Sequence, residues 1–161
     1  MTHETALDVQ NGLASGDRHE LAAQLGGVLD AVYSLMVRTQ VFHWNVEGPL
    51  FEPMHKLTEA QYTFQFAEVD DIAERIRTLD AKAAVGGKVF PTGVSNLSQA
   101  QSAASMIADL VRTQESVVRT MRPVVTAATK ADDVVTADLL TGFIAQHEKD
   151  AWMLRSMLRG S

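Results

Sequence analysis

Between residues 43 and 74 the sequence offers five candidate ligands for a transition metal: His43, His55, Glu59, Asp70 and Glu74. Glu59 follows His55 by four residues, and Glu74 follows Asp70 by four. On a helix, residues four apart share a face, with Cβ atoms about 5–6 Å apart, so each pair can converge on one ion. Imidazole with carboxylate and no sulfur suits Fe(II), Mn(II) or Zn(II). Thiolate is excluded outright, because the chain has no cysteine. The same absence removes disulfides and thiol nucleophiles. Taken singly, each pair is more often the solvated face of a surface helix.

Their joint placement changes that weighting. With His55 set at 0° and about 100° per residue, Glu59 falls near 40°, Asp70 near 60° and Glu74 near 100°. Tyr62 and Phe66 fall in or beside the same arc, near -20° and 20°. A solvated face does not usually carry two large aromatics, whereas a face that packs on another chain does. The midpoints of the two pairs, residues 57 and 72, lie roughly 22 Å apart along a helix. One chain therefore cannot close both pairs on one metal. Two copies of the helix, antiparallel about a two-fold axis near Phe64 and Gln65, would superpose residue 57 of one on residue 72 of the other. Such an isologous pair builds two equivalent sites. Each takes His55 and Glu59 from one chain and Asp70 and Glu74 from its partner, with His43 available to complete the imidazole set. The intrachain alternative draws on two Glu-x-x-His motifs from separate helices. Only Glu52 to His55 matches that spacing, so the intrachain site is disfavoured.

The elements that must carry these residues are helices. The 4 prolines and 10 glycines fall in clusters that separate four long segments rich in Ala, Leu, Val, Gln, Glu and Arg. Residues 1–17 read as a flexible N-terminal arm and residues 18–161 as a bundle. Asp17 with Glu20 predicts a capping box at the first helix, which runs to about Val46. Pro53 predicts the first position of a second helix, continuing to about Asp80. Gly86-Gly87 and Pro91-Thr92-Gly93 mark a long connection. Ser98 with Gln101 predicts the cap of a third helix, reaching about Thr129, with Pro123 kinking or fraying its end. Asp132 or Asp133 caps a fourth, ending near Gly160. The expected class is all-α: a ferritin-like four-helix bundle with a long crossover between the second and third helices.

Composition bounds the rest. The 161 residues make one domain, 46% hydrophobic and 21% charged, which is neither a disordered nor a membrane composition. No apolar run approaches the roughly 18 residues that a spanning helix needs. The N-terminus carries no secretory signal, so a cytoplasmic protein without a membrane partner is expected. The formal charge of -6 opposes contact with a phosphate backbone.

The stretch HWNVEGPLFEPMHKLTEAQYTFQFAEVDDIAERIR at residues 43–77 resembles the signature of the Dps family, the miniferritins named as DNA-binding proteins from starved cells. HWNV, GP, a histidine twelve residues after His43 and the D-D-I-A-E-R-I run carry the likeness, and HEKDAWMLRSML resembles that family's last helix. The resemblance implies a dodecameric hollow shell of identical subunits. It implies ferroxidase centres at two-fold interfaces that oxidise Fe(II), preferentially with hydrogen peroxide or else with oxygen, and a stored ferric mineral. Whether one or two irons occupy each centre stays open. Carried over, the metal ligands and catalytic residues are His43, His55 and Glu59 of one subunit with Asp70 and Glu74 of the other, and Trp44 walls the site. Glu59 stands where the family more often has Asp, which moves the carboxylate outward by about one methylene.

The family often binds DNA through Lys-rich tails. Residues 1–17 here hold no Lys or Arg but do hold Glu4, Asp8 and Asp17, so DNA binding is not expected. A DNA-compacting protein with secondary iron chemistry is the alternative. Asp132, Asp133 and Asp138 admit two readings, as caps of the fourth helix or as an acidic three-fold pore drawing Fe(II) inward. His147 reads as structural, His3 and His19 as solvated, and the methionines as core filling.

Overall fold

The computed structural model describes residues 9–84 and 102–159. Four helices account for the described secondary structure: α1 (Ser15–Asn45), α2 (Phe51–Thr78), α3 (Ala103–Lys130) and α4 (Val134–Met157). Five residues join α1 to α2 and three join α3 to α4, so each pair folds back on itself, while residues 79–102 stand between α2 and α3 in the chain. α1 packs on α2 and α3, α3 packs on α4, and α2 touches α4 more lightly. The predicted cap at Ser98 and Gln101 and the connection marked by Gly86-Gly87 and Pro91-Thr92-Gly93 lie outside the described residues, as does His3.

The helix starts depart from expectation in instructive ways. α1 begins at Ser15, with Ala14 as its N-cap and no side-chain cap. Asp17 thus sits inside the first turn, where its charge meets the positive end of the helix. The Arg18 guanidinium secures the entry instead, donating to the Leu13 carbonyl at 2.7 Å. α2 begins at Phe51, which puts Pro53 third rather than first. That position is still among the N–H groups with no intrahelical partner, so proline costs little there. α3 starts at a cap formed by Ser102, whose hydroxyl accepts from the Ser105 N–H at 3.2 Å. Pro123 does not end α3, which runs seven residues further to Lys130.

α1 corrects one reading from composition: it is long and apolar enough to cross a membrane by length and content. Its apolar stripe is spent inside the bundle. Leu21, Leu25, Val28, Leu29, Val32, Leu35 and Phe42 are all but fully buried, which is the pattern of a core helix.

The α3–α4 turn is held by one buried ion pair. Asp132 adopts φ 58°, a left-handed conformation that aspartate tolerates better than most residues. Asp133 then caps α4, one oxygen accepting from the Thr136 N–H at 3.0 Å. The Arg75 guanidinium of α2 grips both Asp133 oxygens at 2.7 and 2.8 Å. Burial pushes the Asp133 carboxyl up, but hydrogen bonds from Thr136 and Arg75 outweigh it and hold the group below the usual aspartate range. Asp133→Ala should therefore cost about 3–5 kcal/mol, because it leaves Arg75 buried without its partner. A lowered carboxyl stabilises above the unfolded-state value and loses that contribution as pH falls through its own. Urea unfolding should show the full gap between wild type and variant at neutral pH and a closing gap in acid. A pH-independent gap would show that the carboxylate charge is not what matters.

A candidate metal centre at the end of the first helix pair

The short α1–α2 connection brings His43 and His55 together. Gly48 turns the chain at φ 85°, and the Phe51 N–H closes the turn on the Gly48 carbonyl at 2.9 Å. His43 lies in the last turn of α1 and His55 in the second turn of α2. The two rings stack with centroids 3.8 Å apart and planes 16° apart. Each ring also reaches the other's backbone: Nδ1 of His43 lies 2.9 Å from the His55 carbonyl, and Nδ1 of His55 lies 3.0 Å from the His43 carbonyl.

This exchange sets the chemistry of both rings. A carbonyl oxygen only accepts, so each Nδ1 must carry the proton and donate it. In the neutral ring that leaves each Nε2 with a lone pair, the form in which imidazole binds a metal. The pairing also satisfies the His43 carbonyl, one of the last four of α1 that have no intrahelical donor. Tyr62 meets the His43 ring edge-on at 5.2 Å, and Phe51 stacks on His55 at 5.0 Å. Aromatic walls therefore fix both rings while their Nε2 atoms stay uncommitted.

The carboxylates are placed differently. Glu59, one turn beyond His55, is exposed, and so are Asp70 and Glu74 further along α2. Among the described residues, no three His, Asp or Glu side chains of this chain form a group that could hold a metal ion. The buried residues of α2, from Met54 through Thr58, Gln61, Gln65 and Glu68 to Ile72 and Ile76, occupy an arc from about 220° to 300° when His55 is at 0°. The arc from Tyr62 to Glu74 lies on the opposite side and faces away from the bundle. Phe66 on that arc is 69% exposed, and Trp44 beside His43 is 66% exposed. Two large aromatics next to three carboxylates make a patch of the kind that protein partners cover.

Of the three aspartates near α4, Asp133 is committed inward to Arg75 and Thr136, and Asp132 and Asp138 are exposed. His19 is exposed.

His147 is buried, as a structural histidine would be, but it belongs to a larger polar group that its sequence neighbours do not reveal. Its Nε2 lies 2.8 Å from Glu68 Oε1 on α2, and its Nδ1 contacts the side-chain carbonyl of Gln114 on α3. Burial raises the Glu68 carboxyl above its ordinary range, against the opposing pull of His147. Asp150, one turn from His147, is likewise raised by burial and accepts from Gln146 at 2.9 Å. The signal for this cluster was present in the spacing: residues 58, 61, 65 and 68 continue the core stripe that Met54 opens and Ile72 and Ile76 resume.

The chain is similar in sequence and fold to known proteins. Residues 22–160 match the family described as Ferritin-like domain. An uncharacterised low temperature-induced protein of Nostoc is 36% identical over 153 residues, spanning 92% of this chain and 86% of its own. DNA protection during starvation protein 2 of Bacillus anthracis is 33% identical over 132 residues, spanning 77% and 86%. Among solved structures, a Dps protein of Vibrio cholerae, described as a member of a superfamily of ferritin-like diiron-carboxylate proteins, superposes with a TM-score of 0.81. It is 26% identical and covers 96% of this chain and 100% of its own. DpsC of Streptomyces coelicolor superposes at 0.85 with 21% identity, over 100% and 96%, a likeness of fold.

Proposed function

The chain belongs to the Dps branch of the ferritin-like family, and from that premise we propose that it is a ferroxidase that oxidises Fe(II) at sites shared between two subunits and stores the ferric product in a closed shell of twelve. Hydrogen peroxide is the proposed oxidant, with oxygen as its substitute. Each site takes His43, His55 and Glu59 from one subunit and Asp70 and Glu74 from the other, with Trp44 as a wall. The observation that carries this reading is the mutual lock of His43 and His55. It leaves two Nε2 lone pairs uncommitted, while among the described residues no three His, Asp or Glu side chains gather into a group that could hold a metal.

The proposed reaction balances as follows. Two Fe(II) ions give up one electron each, and the O–O bond of one peroxide takes both. With two further waters, the products are two ferric oxyhydroxide units and four protons. The carboxylates favour the more highly charged ferric ion, and the neutral imidazoles keep the ferrous ion bound at neutral pH. Asp132 and Asp138 are the proposed acidic entry that concentrates Fe(II), with Asp133 shaping their turn. A crystal grown with Fe(II) tests the ligands directly: iron at a two-fold interface between these five residues supports the site, and iron bound elsewhere or nowhere rejects it.

DNA compaction is the competing role, since relatives carry DNA protection in their names. Charge argues against it here. The subunit carries -6, and residues 1–17 hold acidic groups without a Lys or Arg. At roughly 0.15 M salt, with a Debye length of about 8 Å, no plasmid retention is expected in a gel-shift assay at neutral pH. A stoichiometric complex that weakens steeply with added salt would overturn this expectation.

A further inference from the structure

The outer side of the first helix pair carries a small cleft next to His43. It measures about 220 Å³ and is lined by Gln40 of α1 with Tyr62, Thr63 and Phe66 of α2. Both helices lead from it to candidate ligands. Gln40 stands three residues before His43, and Tyr62 and Thr63 stand three and four residues after Glu59. Each therefore lies one helical turn from a candidate ligand and beside it on the helix surface. Tyr62 joins the two places directly, because the ring that borders the cleft also meets the His43 ring edge-on at 5.2 Å.

Three of the lining side chains are polar, and two of those are uncommitted. The Tyr62 hydroxyl and the Gln40 amide have no hydrogen-bond partner among the described residues. Thr63 donates its proton to the Glu59 carbonyl at 2.8 Å and keeps its lone pairs. A phenol hydroxyl donates and accepts, and a glutamine amide offers two donors and one carbonyl. Both side chains are half-buried, so a small molecule can reach them in a place that bulk water only partly fills. The volume is several times the roughly 30 Å³ share of one water molecule. The cleft thus suits a small molecule that donates and accepts hydrogen bonds at once. Hydrogen peroxide, with two O–H groups and two acceptor oxygens, is such a molecule. Dioxygen has no proton to donate and is a feeble acceptor.

We propose that this cleft binds hydrogen peroxide beside the candidate metal centre, through the Tyr62 hydroxyl and the Gln40 amide, and so selects peroxide over dioxygen. This role rests on the ferroxidase reading and names the residues that choose its oxidant. A site that hydrogen-bonds a hydroxyl group rejects an analogue without one, because its own polar groups are then left unpaired. Tyr62 and Gln40 hold the peroxide and exchange neither proton nor electron with it. The electrons come from the two Fe(II) ions, in the balance given above. With the two-fold axis near Phe64 and Gln65, the partner's Phe66 faces Thr63 and roofs the cleft, which places the two uncommitted groups inside the shared site.

Tyr62→Phe tests the assignment, because it removes the hydroxyl and keeps the ring that meets His43. Fe(II) oxidation by the assembled protein is followed in stopped flow with hydrogen peroxide and, separately, with dioxygen. The ratio of the peroxide-driven to the dioxygen-driven rate should fall roughly three- to tenfold, the worth of one hydrogen bond. The loss should appear in the KM for peroxide more than in kcat. Gln40→Leu should move the ratio the same way, and it carries the test if Tyr62→Phe does not assemble. Disturbed ring packing alone lowers both rates together, so an unchanged ratio overturns the assignment even where both rates fall. A crystal structure of the assembled wild type in which the partner's Phe66 fills the cleft, with no room left at the Tyr62 hydroxyl, overturns it as well. In both of those cases the ferroxidase reading stands. A wild-type protein that oxidises Fe(II) with neither oxidant refutes that reading, and the peroxide cleft with it.

Discussion

His55→Ala and Asp70→Ala, each purified alone, should lose rapid Fe(II) oxidation, and a mixture of the two should regain about a quarter of the wild-type sites. The loss follows from ligand removal. Replacing even an outer-shell partner of a metal can cost roughly a hundredfold, and a direct ligand costs at least as much. The recovery follows from symmetry. After joint unfolding and reassembly, random pairing makes about half of the dimers mixed. In a mixed dimer one site carries both lesions. The other joins the intact His55 of one chain to the intact Asp70 of its partner. An intrachain site gives no recovery, since every chain keeps its lesion. Mass spectrometry of intact dimers verifies the mixing. Activity that stays at the single-variant level after that check would reject the two-chain site and the helix arithmetic behind it.

That arithmetic was available before any coordinates, and particular residues show why. The arc of His55, Glu59, Asp70 and Glu74 follows from spacing alone, and so does the separation that no single chain can close. A helix is a rigid ruler, so residue numbers convert directly into distance. The four-helix pattern was legible for the same reason. The exact helix starts were not. α1 enters through an Arg18 bond to a backbone carbonyl four residues before the expected cap, an arrangement with no signature in residue type. Nor could spacing reveal the mutual lock of His43 and His55, which depends on the turn at Gly48 bringing two backbone carbonyls to two rings. His147 was read as structural, but its partner Glu68 stands 79 residues away on another helix. Polar residues at core spacing look like a solvated face until tertiary packing shows which way they point.

The exposed face of α2 leads to the second large effect: Phe66→Asp should break the proposed shell into subunits or small species. Phe66 is 69% exposed in the single chain and lies between the aromatic and acidic parts of the arc. Under the antiparallel pairing, residue numbers that sum to 129 face each other, so Phe66 sits opposite Thr63 of the partner, close to the two-fold axis. Each dimer then buries two copies of Phe66, one on either side of that axis. Burying one phenylalanine stabilises by about 1.5–3 kcal/mol, hence about 3–6 kcal/mol per dimer. At 1.4 kcal/mol per decade, that weakens association by at least about a hundredfold. The same register sets Glu59 against Asp70 of the partner, and a new aspartate beside them adds like charge to an interface already rich in it. Light scattering on a sizing column should move from about 210 kDa, twelve copies of 17.6 kDa, toward the mass of one or two chains. Helical content by circular dichroism should hold, since Phe66 lies outside the core, and Phe66→Leu should keep the shell. Iron oxidation should fall together with mass in Phe66→Asp, because each subunit still carries all five proposed ligands yet has no partner to complete a site. An intact shell in that variant would remove this face of α2 from the two-fold interface. A dispersed protein that still oxidises Fe(II) at the wild-type rate would place the chemistry within a single chain.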